Sequence, residues 1–231
     1  RRAKAALQAV VFGERLLQRV KLRGRAQAFH RTHRGAIGLH RQHQAGAHRF
    51  VVDQYGAAYL KAGLAYLALD MPGTGESPVK IEPGIERLFS VVIDALQGRS
   101  DIDPNRIGFH GGSWGGHWSA RVAFAEPTRL KAVVNWGGPV HAYFQRDWQL
   151  KALGTREYLF DLFPARASVY GVNTLEDFLA YGPKMSLKDA GVLGKPSAPM
   201  LLVNGEKDTQ VPIEDLYILL KQGAPKEAWV N

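Results

Sequence analysis

From Phe50 onward, short unbroken apolar runs alternate with stretches in which apolar residues recur at helical spacing. Val51 to Ala62 places Val51, Tyr55, Ala58 and Tyr59 on one helical face and closes on Gly63. Leu64-Ala-Tyr-Leu-Ala-Leu69 is a continuous apolar run of strand length, the signature of a parallel strand buried on both faces. Residues 84–98 predict a helix with Ile85, Leu88, Phe89, Val92 and Leu96 inward, and Asp101–Asn105 a turn. A strand through Ile107 and Phe109 follows, then a helix from Trp118 to Ala125 stopped by Pro127. Leu130–Trp136 and Met200–Val203 read as two more strands, Pro212 to about Gln222 as a helix, and Glu227–Val230 as the start of a last strand. Strands and helices alternating at these lengths specify an α/β fold with a mostly parallel sheet and helices on both faces.

The stretch between the strands at 130–136 and 200–203 is long. Residues from about 140 to 198 are rich in aromatic side chains, including Tyr143, Phe144, Trp148, Tyr170, Phe178 and Tyr181. That much apolar surface in an insertion predicts a helical cap over a pocket. Ordinary core helices on a long connection are the plainer alternative for part of it.

Charge divides the chain differently. The formal net charge is +9 over 231 residues, yet residues 1–50 hold 12 Lys and Arg against the single acid Glu14, and the remainder is close to neutral. Residues 3–22 fit a basic amphipathic helix through Leu7, Val10, Val11, Leu16, Leu17 and Val20; residues 23–49 have no period. A basic arm can bind nucleic acid or anionic surfaces. This one has few aromatic residues for base stacking and no nucleic-acid motif, so no nucleic-acid partner is expected. Its His-x-x-His pairs at 30/33 and 40/43 lack any Asp, Glu or Cys to complete a metal site, and no metal is expected. We read 1–49 as a low-complexity segment, frame-shifted or disordered, and 50–231 as one domain. The absence of cysteine excludes disulfides and thiol catalysis. No apolar run reaches membrane-spanning length, and nothing resembles a cleavable leader, so a cytoplasmic location is the default.

The chemistry lies in Gly111-Gly-Ser-Trp-Gly115, which fits G-x-S-x-G between a strand and a helix. A serine on so sharp a turn exposes its Oγ at a helix N-terminus, beside a free N–H able to bind an oxyanion. The small neighbours avoid collision. A glycine turn with an idle serine is the plain alternative. No G-x-G-x-x-G follows any strand and no phosphate-binding loop is present, which removes the dinucleotide and nucleotide enzymes.

Three separated stretches agree in order and spacing: Asp70-Met-Pro-Gly-Thr-Gly-Glu-Ser77, the elbow, and Gly205-Glu-Lys-Asp-Thr-Gln-Val-Pro212. With Arg129-Leu-Lys-Ala-Val133 and Gly138-Pro-Val-His141, residues from about 50 to 231 resemble the FrsA-like esterase group of α/β-hydrolases. The resemblance implies an α/β-hydrolase fold and a serine hydrolase acting, through an acyl-enzyme, on a small-molecule ester or a carbon–carbon bond next to a ketone. It implies no cofactor, and it allows a homodimer. By position Ser113 would be the nucleophile, Asp208 the acid that orients a histidine, and Trp114 the donor of one oxyanion N–H. Gly112, His141 and Asp70 are pocket candidates; Glu206 competes with Asp208 but sits too close to its strand. Two parts of the pattern are missing. No strand and loop are recognisable before Val51, and the histidine base of the group would lie beyond Asn231. The chain taken alone is therefore expected to be nearly inactive, and a catalytically defective hydrolase-fold protein is the alternative.

Overall fold

The computed structural model describes residues 6–12, 30–31 and 37–38 through their backbone, and residues 56–74, 77, 79–155, 162–222 and 226–231 in full. Its centre is a six-stranded, all-parallel sheet. In chain order the strands are β1 (Ala6–Phe12), β4 (Leu64–Ala68), β5 (Ile107–Gly112), β6 (Leu130–Trp136), β7 (Met200–Asn204) and β8 (Lys226–Val230). In space they run β4-β1-β5-β6-β7-β8. The strands β2 (His30–Arg31) and β3 (Ile37–Gly38) form a separate two-stranded antiparallel ladder.

The expected strands from β4 onward all form. The N-terminal reading does not hold. Ala6–Phe12, expected as part of a helix over residues 3–22, is a strand. It lies between β4 and β5, with Leu7 opposite Ala65, Val10 opposite Leu67 and Phe12 opposite Gly111. A seven-residue, largely apolar run suits both periods. The unpaired N–H and C=O groups of two flanking parallel strands decide for the extended form, since they need partners once buried. A strand thus does precede Val51. The rest of the expected helix, and the loop after Phe12, lie outside the described residues.

Helices pack on this sheet for legible reasons. Helix α1 (Ala57–Lys61) ends at Ala62, and Gly63 turns the chain into β4 at φ +79°. Helix α2 (Arg87–Gln97) buries Phe89, Ile93 and Leu96 at near-ideal i, i+4, i+7 spacing. Helix α3 (Trp114–Ala125) starts directly after Ser113, one turn earlier than its apolar pattern suggests, and every residue from Trp114 to Phe124 is buried. A helix buried all round belongs in the core, and α3 packs against both β5 and β6. Helix α7 (Ile213–Leu220) lies over β7 and β8.

Between β6 and β7 the chain forms a 3-10 turn (Ala142–Phe144) and helices α4 (Arg146–Gly154), α5 (Leu162–Tyr170) and α6 (Leu175–Met185). Helix α6 is started by Thr174, whose side chain accepts the Asp177 N–H. Part of this cap has its own small core, Ala167, Phe178 and Leu179, ringed by Leu153, Phe163, Tyr170 and Val172. The rest of the cap joins the main core through Tyr143, Phe144, Met185 and Leu187.

One close approach holds sheet and helix together. A methyl group on Gly138 would lie 2.3 Å from the carbonyl carbon of Gly116 and 2.4 Å from Asn135 Nδ2. The loop after β6 therefore sits against the first turn of α3, backbone on backbone. Gly138→Ala is expected to destabilise the protein by about 3 kcal/mol, because Gly116 meets it with backbone and Asn135 is buried and held by hydrogen bonds to both glycines. Gly112→Ala, whose methyl group would meet nothing nearer than 3.9 Å, should cost little. Urea unfolding of the two variants checks the contrast; equal midpoints would refute the close-packing argument.

Candidate active site

Strand β5 ends in Gly111-Gly112, and the chain reverses into α3 at Ser113 with φ 52° and ψ −120°. Among the described non-glycine residues it alone has a positive φ. Such a conformation costs about 1–3 kcal/mol and persists only where its surroundings over-determine it. They do here. The Ser113 N–H donates to Trp136 O at 2.7 Å, and Ser113 O accepts from the His117 N–H at 3.2 Å. A methyl group on Gly111 would lie 2.0 Å from the Gly115 carbonyl oxygen, so only glycine lets the turn close. Buried Asn135 donates to Gly116 O at 2.7 Å and accepts the Gly138 N–H at 3.1 Å; Ser119 Oγ donates to the same carbonyl. Trp114 opens the first turn of α3, where a backbone N–H has no intrahelical acceptor.

Asp208 stands on the loop after β7. Its Oδ1 accepts the N–H groups of Gln210 at 2.7 Å and Val211 at 3.0 Å, which fixes the carboxylate plane. Its Oδ2 comes within 3.7 Å of the point where a side chain on Gly137 would begin. Ser113 and Asp208 thus flank the Trp136–Gly137 link, at the C-terminal ends of β5 and β7 on either side of β6, where open α/β sheets place their sites. Glu206 is exposed and Asp208 half-buried.

The other sequence candidates separate. Gly112 has open space beside it apart from Trp136. Asp70 follows β4, two strands from β5. His141 faces the cap, with Nδ1 at 2.8 Å from Ser186 Oγ and 3.7 Å from Asp189. The pairs His30/His33 and His40/His43 lie outside the described residues, apart from the backbone of His30 in β2. Among the described residues no group of three or more His, Cys, Asp or Glu could hold a metal ion, and no helix is long and apolar enough to cross a membrane.

Two groups escaped the sequence reading. Gln210 uses all its polar groups to tie the Asp208 loop to the cap. Its N–H donates to Asp208, its carbonyl accepts Trp148 Nε1–H at 2.9 Å, its Oε1 accepts Arg166 at 2.8 Å, and its Nε2 donates to Thr155 Oγ1. Asp215 is fully buried and accepts four backbone N–H groups, from Val140, His141, Ala142 and Tyr143, at 2.6–3.2 Å. Burial pushes its carboxyl above the usual aspartate range, and the four N–H groups pull against that. No periodicity announces either residue, because each is defined by partners distant in the chain.

The family now has its evidence in sequence too. The esterase FrsA-like family model matches residues 42–227. The chain belongs to the FrsA-like esterase family. It is 29% identical over 168 residues to an esterase FrsA of Photobacterium profundum, covering 71% of this chain and 38% of that protein. An esterase FrsA of Vibrio cholerae is 33% identical over 172 residues, 71% of this chain and 40% of its own length. The chain therefore spans about two fifths of these curated relatives. Among solved structures, 2,6-dihydroxy-pseudo-oxynicotine hydrolase superposes with a TM-score of 0.66 at 25% identity, over 78% of this chain and 49% of that one. The expected α/β-hydrolase fold is the observed one.

Two histidines of the FrsA-like domain are held neutral. His117, fully buried, stacks on Trp114 with centroids 4.8 Å apart and places Nδ1 at 3.0 Å from Pro139 O; burial, then Arg121, hold it well below the usual histidine range. His110 lies 2.7 Å from Tyr59 Oη, and burial lowers it from 6.5 to about 4. Between these two pH values the unfolded chain binds a proton that native His110 refuses. Stability from this group is thus complete above about pH 6.5 and is lost as the pH falls towards 4. The loss amounts to about 3 kcal/mol for His110. Urea midpoints at pH 7 and pH 5 should diverge for the native protein and converge in part for His110→Gln; an unchanged divergence would assign the effect elsewhere.

Proposed function

We propose that this protein is a serine hydrolase of small-molecule esters in which Ser113 is the nucleophile, Asp208 the triad acid and the Trp114 N–H one oxyanion donor. The observation that carries the reading is the strained Ser113 backbone at a strand-to-helix turn, held by contacts on every side. A hydroxyl is a weak nucleophile until a base takes its proton, and the base needs a carboxylate to fix its tautomer. Asp208 suits that role, since two backbone N–H groups hold Oδ1 and leave Oδ2 turned towards Gly137. Among the described histidines, His110 bonds Tyr59, His117 lies against Pro139, and His141 bonds Ser186. The base in this reading is a histidine outside the described residues.

Ser113 Oγ attacks the carbonyl carbon while its proton passes to that histidine. The oxyanion sits at the N-terminus of α3, and the protonated histidine gives its proton to the departing alcohol. Water, deprotonated by the same histidine, then releases the acid and restores Ser113. The sequence needs no metal or cofactor, because base and oxyanion donors together supply the acid–base and charge terms. The name esterase on the curated relatives favours the ester over the ketone-adjacent carbon–carbon bond as the native target.

A fluorophosphonate probe should label Ser113 in the full-length protein. Ser113→Ala should abolish labelling and lower p-nitrophenyl ester hydrolysis by about three orders of magnitude or more, whereas His110→Gln should change it less than about tenfold. Labelling that survives Ser113→Ala would refute the assignment. A full-length protein that neither labels nor turns over any ester would be a non-catalytic member of the fold.

A further inference from the structure

Helix α5 lies across the sheet at the level of the elbow, and three contacts fix its place. Its Val169 carbonyl comes 2.6 Å from the Cβ position of Gly73, in the loop after β4. The Tyr170 ring stands 6.0 Å from that of Trp114, the residue next to Ser113. At the other side Arg166 donates to Gln210 Oε1 at 2.8 Å, two residues from Asp208. A helix touching the loops after β4 and β7 and the first residue of α3 reaches across the C-terminal edge of the sheet beside the elbow.

Arg166 is the charged group that this helix turns towards the junction. Its guanidinium carbon lies 5.5 Å from the centroid of the buried Tyr143 ring, and its charge acts on the buried Tyr170 hydroxyl. Both contacts draw on the cation without neutralising it. A single N–H goes to the neutral Gln210, and no carboxylate among the described residues lies within ion-pair distance. Arg99, Arg121, Arg129 and Arg146 each meet an Asp or Glu, and Arg87 and Arg106, which have no such partner among the described residues, are exposed. A half-buried guanidinium whose partners are all neutral keeps donors and charge for an arriving anion, and its planar fork matches a carboxylate.

We propose that Arg166 is the specificity-determining residue of this site and binds a carboxylate carried by the substrate's acyl part, so that the favoured substrates are acidic esters. The proposal rests on the hydrolase reading above. Gln210 holds the guanidinium on the same loop as Asp208, so anion site and acid move as one piece.

The test compares p-nitrophenyl hemiglutarate with p-nitrophenyl pentanoate, equal in acyl length and different in charge, on the full-length protein. Binding of monomethyl glutarate is followed separately by equilibrium dialysis. The native protein should prefer the acidic ester in kcat/KM by about tenfold or more, mainly through KM. Arg166→Gln should lose that preference and weaken monomethyl glutarate binding by about tenfold, and Arg166→Lys should recover part of both. Two esters turned over without preference, or a ratio that Arg166→Gln leaves unchanged, would overturn the proposal while the hydrolase reading stands. If neither ester turns over, the hydrolase reading fails. Dialysis then decides the anion site alone, with binding lost in Arg166→Gln supporting it and no binding, or binding unchanged in the variant, refuting it.

Discussion

The contact between Gly116 and Gly138 is the constraint on which the site depends. Two backbones meet there at a distance no side chain would allow, joining the first turn of α3 to the exit of β6. Asn135 closes the same contact with hydrogen bonds to both glycines. Ser113 lies just before that turn and donates its own N–H to the carbonyl of Trp136, one residue before Gly137. The strain at Ser113 is therefore held by the packing of α3 on β6, supported by eleven consecutive buried residues of α3.

A second set of contacts governs how the cap meets the sheet. Asp215, at the start of α7, gathers four N–H groups of residues 140–143 at the point where the chain leaves β6 for the cap. Gln210, five residues earlier, ties Trp148, Thr155 and Arg166 to the Asp208 loop. Gln210 sits between β7 and α7 and Asp215 in the first turn of α7, so one short segment presents the acid and holds the cap. Satisfying so many buried polar groups at once leaves few alternative arrangements, because each lost partner would strand a buried donor or acceptor. The small apolar core around Phe178 meets the elbow helix through Tyr170, whose ring stands against that of Trp114.

What the sequence determined by itself was the order of elements and the place of the chemistry. An unbroken apolar run gave β4, because a strand buried on both faces has no polar face to show, and shorter apolar stretches between turns gave β5 to β8. G-x-S-x-G gave the elbow, since Gly111 cannot carry a side chain beside the Gly115 carbonyl. Tertiary structure decided the rest. Ala6–Phe12 has a pattern that serves helix or strand, and only the slot between β4 and β5 selects the strand. The burial of His117 against Trp114 could be seen only once α3 was placed in the core. Gln210, Asp215 and Arg166 carry no local signal at all, for a hydrogen bond spanning 44 to 75 residues leaves no mark on the spacing of its neighbours.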